Sequence, residues 1–270
     1  MPIPSHPTSN YKPLLLSLAA ALPLLASQLA QAQAGAPITP AASTATVTKD
    51  TAVLKRLAEV GSYLRAQKSF AVKADALTDE VLESGQKLQF ASTVDYVVSA
   101  PDKLRAKLRS DRRHRDFYFD GKSLTQVAPR AGYYASVAMP GTLAENVVQV
   151  AERYEIEMPL ADLFLWGTPA GGLDDVTAAL RVGPAQINGV ACDHYALRQP
   201  GVDWQVWVER GARALPLKLV ITTTDEPAQP QYAATLKWTL GTPPPAASSF
   251  TYTPVKGMNR IELKPVAAAK

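Results

Sequence analysis

Apolar residues recur at helical spacing in three parts of the chain. In residues 50–67 they fall at every third or fourth position with charged residues mostly on the other side, which predicts an amphipathic helix. Residues 142–145 (TLAE) have the form of a capping box ahead of a second apolar stripe. Pro159 can open a third, short helix over residues 160–166, before a loop rich in Gly and Pro.

Elsewhere the pattern alternates at every second residue, which is typical of strands with one buried face. Turn signals such as Ser84-Gly85 and Asn188-Gly189 separate these runs. Strands outnumber helices and no β-α-β alternation occurs, so the pattern predicts an α+β fold in which helices cover one face of a large antiparallel sheet. The predicted strands are residues 70–78, 88–98, 103–115, 117–119, 122–127, 132–138, 179–187, 190–198, 202–209, 215–224 and 231–240, with a last pair in 250–263.

The first residues have the layout of a secretory signal peptide, predicted over residues 1–34. A cationic residue precedes an apolar run from Leu14 to Ala26, and small residues then lead to an A-x-A site that ends at Ala34. The run is too short to anchor the chain in a membrane. We therefore expect cleavage after Ala34, export, a disordered linker over residues 35–49 and a single domain over residues 50–265.

Composition narrows the classes of partner. The net charge is +4, and about +3 once the leader with its one lysine is removed, which is too mild to indicate nucleic-acid binding. The one cysteine cannot form an internal disulfide, and the chain is long enough to bury a core without one. We expect a monomer without a nucleic-acid partner, a cofactor or a stable membrane anchor.

Several short segments carry a resemblance to a known family. They are residues 85–89 (GQKLQ), 119–125 (FDGKSLT), 159–163 (PLADL), 192–194 (CDH), 203–207 (DWQVW) and 215–219 (LPLKL). Taken together and in this order, they resemble an uncharacterised family of predicted periplasmic proteins, domain-of-unknown-function family 2092. The resemblance runs from about residue 50 to residue 263. It implies a periplasmic location and attaches no reaction.

The order helix, strands, helices, strands is also similar to the periplasmic lipoprotein carriers and outer-membrane lipoprotein receptors. That resemblance implies a lipoprotein-localisation-factor-like fold: a large curved antiparallel sheet (an incomplete barrel) with helices on its concave face, over an apolar cavity that takes acyl chains. It favours a non-catalytic carrier for a lipid, a lipoprotein acyl chain or another amphiphile. Each buried CH₂ contributes about 0.8 kcal/mol, so a long acyl chain gains on the order of 10 kcal/mol before ordering costs. An envelope protein-interaction or sensor module is the alternative.

Aromatic and apolar side chains are the candidates for lining such a cavity. Most aromatic residues must belong to the ordinary core, but a curved sheet under a small helical plug leaves a groove that side chains only partly fill. The candidate ligand-binding residues are Phe90, Tyr118, Tyr134, Leu163, Phe164, Trp166, His194, Trp204, Trp207 and Trp238.

The predicted hairpin of residues 188–209 holds the most varied side chains of the chain. Cys192 and His194 are two residues apart on a strand and therefore share a face. If the loop is Pro200-Gly201 alone, His194 faces Trp207. A loop longer by one residue would move every one of these side chains to a different partner, and the sequence leaves this choice open.

A catalytic role for His194 would need either a Cys–His nucleophile pair or a hydrolase built on Asp193, His194 and Asp203. No second motif supplies an orienting residue or an oxyanion loop, and no metal-binding spacing such as C-x-x-C or H-E-x-x-H occurs. We therefore expect a hydrogen-bonded histidine on a sheet, in a protein that is not an enzyme and binds no metal.

The run of basic residues over 103–115 has two interpretations. It can steer anionic lipid headgroups or an acidic partner towards the protein. The favoured interpretation is a solvated sheet face that also protects an edge from mispairing, because the small net charge produces only a weak field.

Overall fold

The computed structural model describes residues 48–156, 158–241 and 243–266. The predicted signal peptide and residues 35–47 of the predicted linker lie outside these ranges. The helices are α1 Thr51–Arg65 and α2 Leu143–Tyr154, with 3₁₀ helices at Ala161–Phe164, Pro169–Gly171, Leu173–Asp175 and Ala247–Phe250. The strands are β1 Ser69–Val81, β2 Lys87–Ser99, β3 Lys103–Ser110, β4 His114–Phe119, β5 Ser123–Ala128, β6 Tyr133–Ala138, β7 Ala178–Ile187, β8 Val190–Gln199, β9 Val202–Glu209, β10 Pro216–Thr223, β11 Gln231–Leu240 and β12 Asn259–Arg260.

The strands of the described residues form one open 12-stranded sheet in the order β12-β6-β5-β4-β3-β2-β1-β11-β10-β9-β8-β7. Neighbouring strands are antiparallel, except that β12 pairs in parallel with β6. We call the face that carries α1 and the main apolar core the concave face, and the other the convex face. The predicted α+β fold, a large antiparallel sheet that does not close into a barrel, is confirmed.

Helix α1 forms where the helical pattern predicted it. Asp50 is its N-cap and accepts a hydrogen bond from the backbone N–H of Ala52. The buried residues of α1 are Val53, Leu57, Val60, Gly61 and Leu64, which lie on one side of the helix because they are three or four positions apart.

The capping box of helix α2 is also confirmed, with Thr142 and Glu145 bonded to each other's backbone N–H. Its buried residues are Asn146 and Val150, so the buried side of α2 is more polar than the predicted stripe. The predicted short helix over residues 160–166 is a 3₁₀ helix, and it starts after Leu160, whose φ of 68° is left-handed.

The prediction of one strand over residues 103–115 is wrong. Strand β3 ends at Ser110, the chain turns through residues 111–113, and β4 returns antiparallel to β3 from His114. Residues 109–115 (RSDRRHR) are all polar and contain no Gly or Pro, so the local pattern does not mark the turn. The outward position of Lys103, Arg105, Lys107 and Arg109 on β3 agrees with the prediction, because Leu104 and Ala106 between them are buried.

The prediction of a last strand pair over residues 250–263 is also wrong. A 3₁₀ helix and extended chain cross the convex face, where Phe250 is 1% exposed. The short strand β12 then adds to the edge of β6, and the backbone N–H of Val266 donates to the carbonyl of Arg153 in α2. The C-terminal segment (residues 247–266) therefore joins the convex face, one sheet edge and helix α2.

The β8–β9 hairpin takes the register that has Pro200-Gly201 alone as its loop. His194 pairs with Trp207 and Leu197 with Trp204. Because directly opposed residues share a face, Trp204 points to the concave side, and Trp207, three positions later, points to the convex side.

Candidate ligand-binding cavity

Side chains do not fill the space between the concave face and residues 158–171, which we call the plug. The cavity there has a volume of about 640 Å³. Ligand pockets of proteins span about 300–1,000 Å³. Its apolar lining comes from six strands and the plug: Val94, Leu108, Phe117, Leu160, Leu163, Trp166, Trp204, Leu219, Ile221 and Tyr232.

Two residues of helix α1 hold the plug in place. Arg65 Nη1 donates to the carbonyl oxygens of Phe164 and Trp166, at 2.7 and 2.8 Å. Gly61 lets the two backbones approach closely, because a Cβ at this position would lie 2.1 Å from the carbonyl oxygen of Trp166. Hydrogen bonds from a charged donor are about twice as strong as neutral ones, so Arg65 contributes strongly to this contact.

Two tyrosine hydroxyls on the concave face differ in their hydrogen bonding. The hydroxyl of Tyr96 donates to the carbonyl oxygen of Pro159 at 2.7 Å and ties the sheet to the plug. The hydroxyl of Tyr232 is buried and has no hydrogen-bond partner among the described residues. Burial raises the pKa of both tyrosines, so both hydroxyls are protonated donors at neutral pH.

Ion pairs occupy one side of the cavity mouth. Arg112 pairs with Glu80, and its guanidinium carbon lies 4.7 Å from the centroid of the Phe90 ring. Asp79 pairs with Lys87 at 3.0 Å. Burial opposes ionisation of Asp79, but hydrogen bonds from Lys87 and its neighbours outweigh it and lower the pKa of this carboxyl. These charges of the mouth are therefore compensated within the protein.

Arg113 and Arg115 also line the cavity, without such compensation. Arg115 lies opposite Leu108 in the β3–β4 register, and Leu108 lies opposite Val94, so Arg115 shares the concave face with these two apolar residues. Arg115 Nη1 donates to the carbonyl oxygen of His114 at 2.9 Å. No carboxylate of the described residues lies within 4.0 Å of the guanidinium of Arg113 or Arg115.

Four of the residues predicted to bind a ligand line the cavity: Phe90, Leu163, Trp166 and Trp204. The rings of Trp166 and Trp204 stack with their centroids 5.4 Å apart, which places one on the plug directly against one on the sheet. Trp204 Nε1 donates to the side-chain oxygen of Gln199 at 2.8 Å, so the indole N–H is satisfied without a ligand.

Phe164 and Trp238 belong to the packed core beside the cavity. The Phe164 ring stacks on Phe70 at a centroid distance of 5.5 Å, and Trp238 lies 5.9 Å from the same Phe70 ring. Trp238 Nε1 donates to the carbonyl oxygen of Pro216 at 2.7 Å. These side chains pack in the core on the concave face instead of lining the cavity.

Tyr118 and Tyr134 lie on the convex face. Their rings pack against Tyr252 of the C-terminal segment, with centroid distances of 5.5 and 5.4 Å. Buried Val127 lies on β5, the strand between those that carry the two tyrosines, and it is directly opposite Tyr134 on β6. These residues form a second apolar cluster, and the sheet separates it from the cavity.

His194 and Trp207 lie on the convex face as well, on the other half of the sheet. Their rings stack at a centroid distance of 4.0 Å and an angle of 8°, and His194 Nε2 is 3.0 Å from the side-chain oxygen of Gln205. Lys218 Nζ is 4.9 Å from the centroid of the Trp207 ring. Burial lowers the pKa of His194; the hydrogen bond with Gln205 opposes this effect, and the charge of Lys218 adds to it.

The structure does not assemble the hydrolase constellation that the sequence left as an alternative. Asp193 alternates to the opposite face from His194 and binds Arg181 and Arg210, both at 2.7 Å. Asp203 is held by Arg198 through two hydrogen bonds of 2.6 Å. Both carboxylates are therefore occupied by arginines and do not orient His194.

Sequence reasoning missed the polar residues of the cavity. Arg115 was placed with the outward basic residues because the turn at 111–113 was not recognised, although the turn reverses the chain and brings Arg115 opposite Leu108. Tyr232 was not singled out, and its alternation with Ala234 and Leu236 was the signal that could have placed it on the concave face.

The fold and the cavity together define the class: an open antiparallel half-barrel whose concave face encloses an apolar cavity under a short helical plug. The chain belongs to the family described as "Predicted periplasmic protein (DUF2092)", whose model matches residues 54–264. The family predicted from the sequence segments is therefore confirmed. A search of curated proteins gives no match.

Several solved structures are similar to this chain. The Mycobacterium tuberculosis lipoprotein LppX is 12% identical, and the match covers 73% of this chain and 100% of LppX, with a TM-score of 0.44. LprF from Mycobacterium bovis is 16% identical, with coverage of 74% and 99% and a TM-score of 0.41. MucB, solved in complex with MucA(peri), is 15% identical, with coverage of 81% and 62% and a TM-score of 0.39.

Proposed function

We propose that the protein is a periplasmic binding or carrier protein that holds the acyl chain of a lipid, a lipoprotein or another amphiphile in the cavity under the plug. The observation that carries this proposal is the apolar cavity of about 640 Å³ between the sheet and the plug. A folded core normally fills its interior to crystal-like density, so an apolar space of this size is typical of a binding site.

The chemistry of the cavity supports binding without catalysis. Aliphatic and aromatic side chains from six strands and the plug line it, and burying each CH₂ of an acyl chain against them contributes about 0.8 kcal/mol. Trp166 and Trp204 already stack on each other, so they offer a rigid aromatic wall at little ordering cost.

Uptake of lipid by the delipidated protein tests the proposal. We expect native mass spectrometry to show one bound single-chain amphiphile, such as 1-palmitoylglycerol, per protein molecule. Ser92→Trp should abolish uptake, because Ser92 lines the cavity from the concave face and an indole there would occupy the space.

Thr239→Trp is the matched control. Thr239 pairs with Ala71 on the opposite face of the sheet, and its side chain is exposed. This variant should take up the same lipid as the wild-type protein. Equal uptake by wild type and Ser92→Trp, with both folded by circular dichroism, or no uptake by the wild type, would refute the proposal.

A further inference from the structure

Arg115 is a charged group on an apolar wall. Its neighbours on the concave face are Leu108, directly opposite on β3, and Val94 beyond it on β2. Phe117 follows two positions later on the same face and is 3% exposed. A guanidinium with five donors therefore lines the cavity beside side chains that are suited to hydrocarbon.

The protein leaves this charge with little compensation. Among the described residues, the one side-chain hydrogen bond that Arg115 donates goes to the carbonyl oxygen of the adjacent His114, and no carboxylate lies within 4.0 Å of its guanidinium. Two other arginines nearby are paired, Arg109 with Asp116 at 2.5 Å and Arg112 with Glu80, whereas Arg113 has no carboxylate of the described residues within 4.0 Å. A partly buried cation without an anion is costly, so an anion that fits the cavity gains from pairing with it.

The other charged residues of the lining favour binding of an anionic ligand group on the strand side of the cavity, near Arg115. Glu155 lines the cavity beside the plug, and its carboxylate would repel a negative group there. Arg113 lines the same side of the mouth as Arg115, since it lies in the β3–β4 turn, two positions before Arg115. The buried hydroxyl of Tyr232 adds a donor without a described partner on a further wall.

We propose that the cavity selects amphiphiles with an anionic head, a carboxylate or a phosphate, which pairs with the guanidinium of Arg115 while the acyl chain lies between the plug and the sheet. This inference rests on the proposed function and adds the chemical class of the ligand. Arg115 is a specificity-determining residue, and Arg113 at the mouth assists it.

The test compares ligands with one hydrocarbon chain and different heads. Binding of palmitate, palmitoyl-lysophosphatidylglycerol and neutral 1-palmitoylglycerol to the delipidated protein is measured by competition with a fluorescent fatty acid. We expect at least one of the two anionic ligands to bind on the order of tenfold or more tightly than the neutral ligand, as for a charge-assisted hydrogen bond. The carboxylate and phosphate arms then distinguish a free fatty acid from a phospholipid as the source of the head.

Three variants assign the preference to Arg115. Arg115→Gln should reduce the affinity for anionic ligands to that for 1-palmitoylglycerol, whose own affinity should stay within about twofold. Arg115→Lys keeps the charge and should keep most of the preference. Arg105→Gln removes the same charge from the convex side of β3, next to Tyr118 in the register, and should change neither affinity.

The outcomes separate this inference from the proposed function. Equal affinity of the wild type for all three ligands would overturn the inference and leave lipid binding intact. A preference that survives Arg115→Gln would also overturn it. Failure of every ligand to bind the wild type would instead refute the proposed function itself.

Discussion

Gly61 lies where helix α1 meets the plug, and it is the residue whose size matters most there. Alanine improves helix propensity by about 1 kcal/mol over glycine in an exposed helix. At this position its Cβ would lie 2.1 Å from the backbone carbonyl oxygen of Trp166, which cannot move without the plug. We therefore expect Gly61→Ala to lower the free energy of unfolding by about 1–2 kcal/mol net, measured by urea denaturation.

Lys55→Ala is the control for this prediction, because Lys55 is exposed on the same helix. That change should alter stability by less than about 0.5 kcal/mol. An unchanged or higher stability of Gly61→Ala would mean that the plug is not seated on α1 as described.

Some residues of the cavity could be predicted from the sequence, and others could not. Leu163, Trp166 and Trp204 were predicted because a strand or helix pattern and an apolar side chain coincided. His194 and Trp207 were grouped with Trp204 because of their residue types. Trp204 and Trp207 are three positions apart on one strand, however, and therefore cannot share a face, and His194 lies on the same face as Trp207. The partner of each side chain depended on the hairpin register, which the loop length sets, and the sequence left the loop length open.

The C-terminal segment acts as a structural element although it has little regular structure. Phe250 is 1% exposed on the convex face, and Tyr252 packs against both Tyr118 and Tyr134. We expect Phe250→Ala to lower the free energy of unfolding by about 3–5 kcal/mol, as for other buried phenylalanines, measured by urea denaturation.

Val255→Ala provides the comparison within the same segment. Val255 is 65% exposed, so its loss should cost less than about 0.5 kcal/mol. If the two variants were equally stable, the segment would contribute no packing to the sheet.

Helices and strands with a regular spacing of apolar residues were predicted well, whereas segments whose path depends on long-range contacts were not. Helix α1 and strands β8, β9 and β11 were predicted to within about one or two residues of their bounds. The turn at residues 111–113 and the path of residues 247–266 were missed, because neither contains a local signal that outweighs the surrounding pattern. The segment's path depends on burial of Phe250 by strands distant in sequence.

At the scale of the whole molecule, the two faces of the sheet differ in what packs against them. On the convex face the C-terminal segment covers the cluster of Tyr118 and Tyr134, while the concave face keeps an unfilled cavity. The plug is tied to α1 by Arg65 and to the sheet by Tyr96. An acyl chain that fills the cavity adds contacts to both the sheet and the plug, so binding and stability should be linked.

This linkage gives a prediction for the intact protein. A ligand that binds only the folded state stabilises it by about 2.7 kcal/mol at a concentration of 100 Kd. In a domain of this size each kcal/mol raises Tm by about 2–4 °C. We therefore expect palmitate at saturation to raise Tm measurably by differential scanning fluorimetry in wild type and Thr239→Trp, and to leave Tm of Ser92→Trp unchanged because the indole occupies the cavity. An equal rise in Ser92→Trp would mean that the stabilising fatty acid binds on another surface.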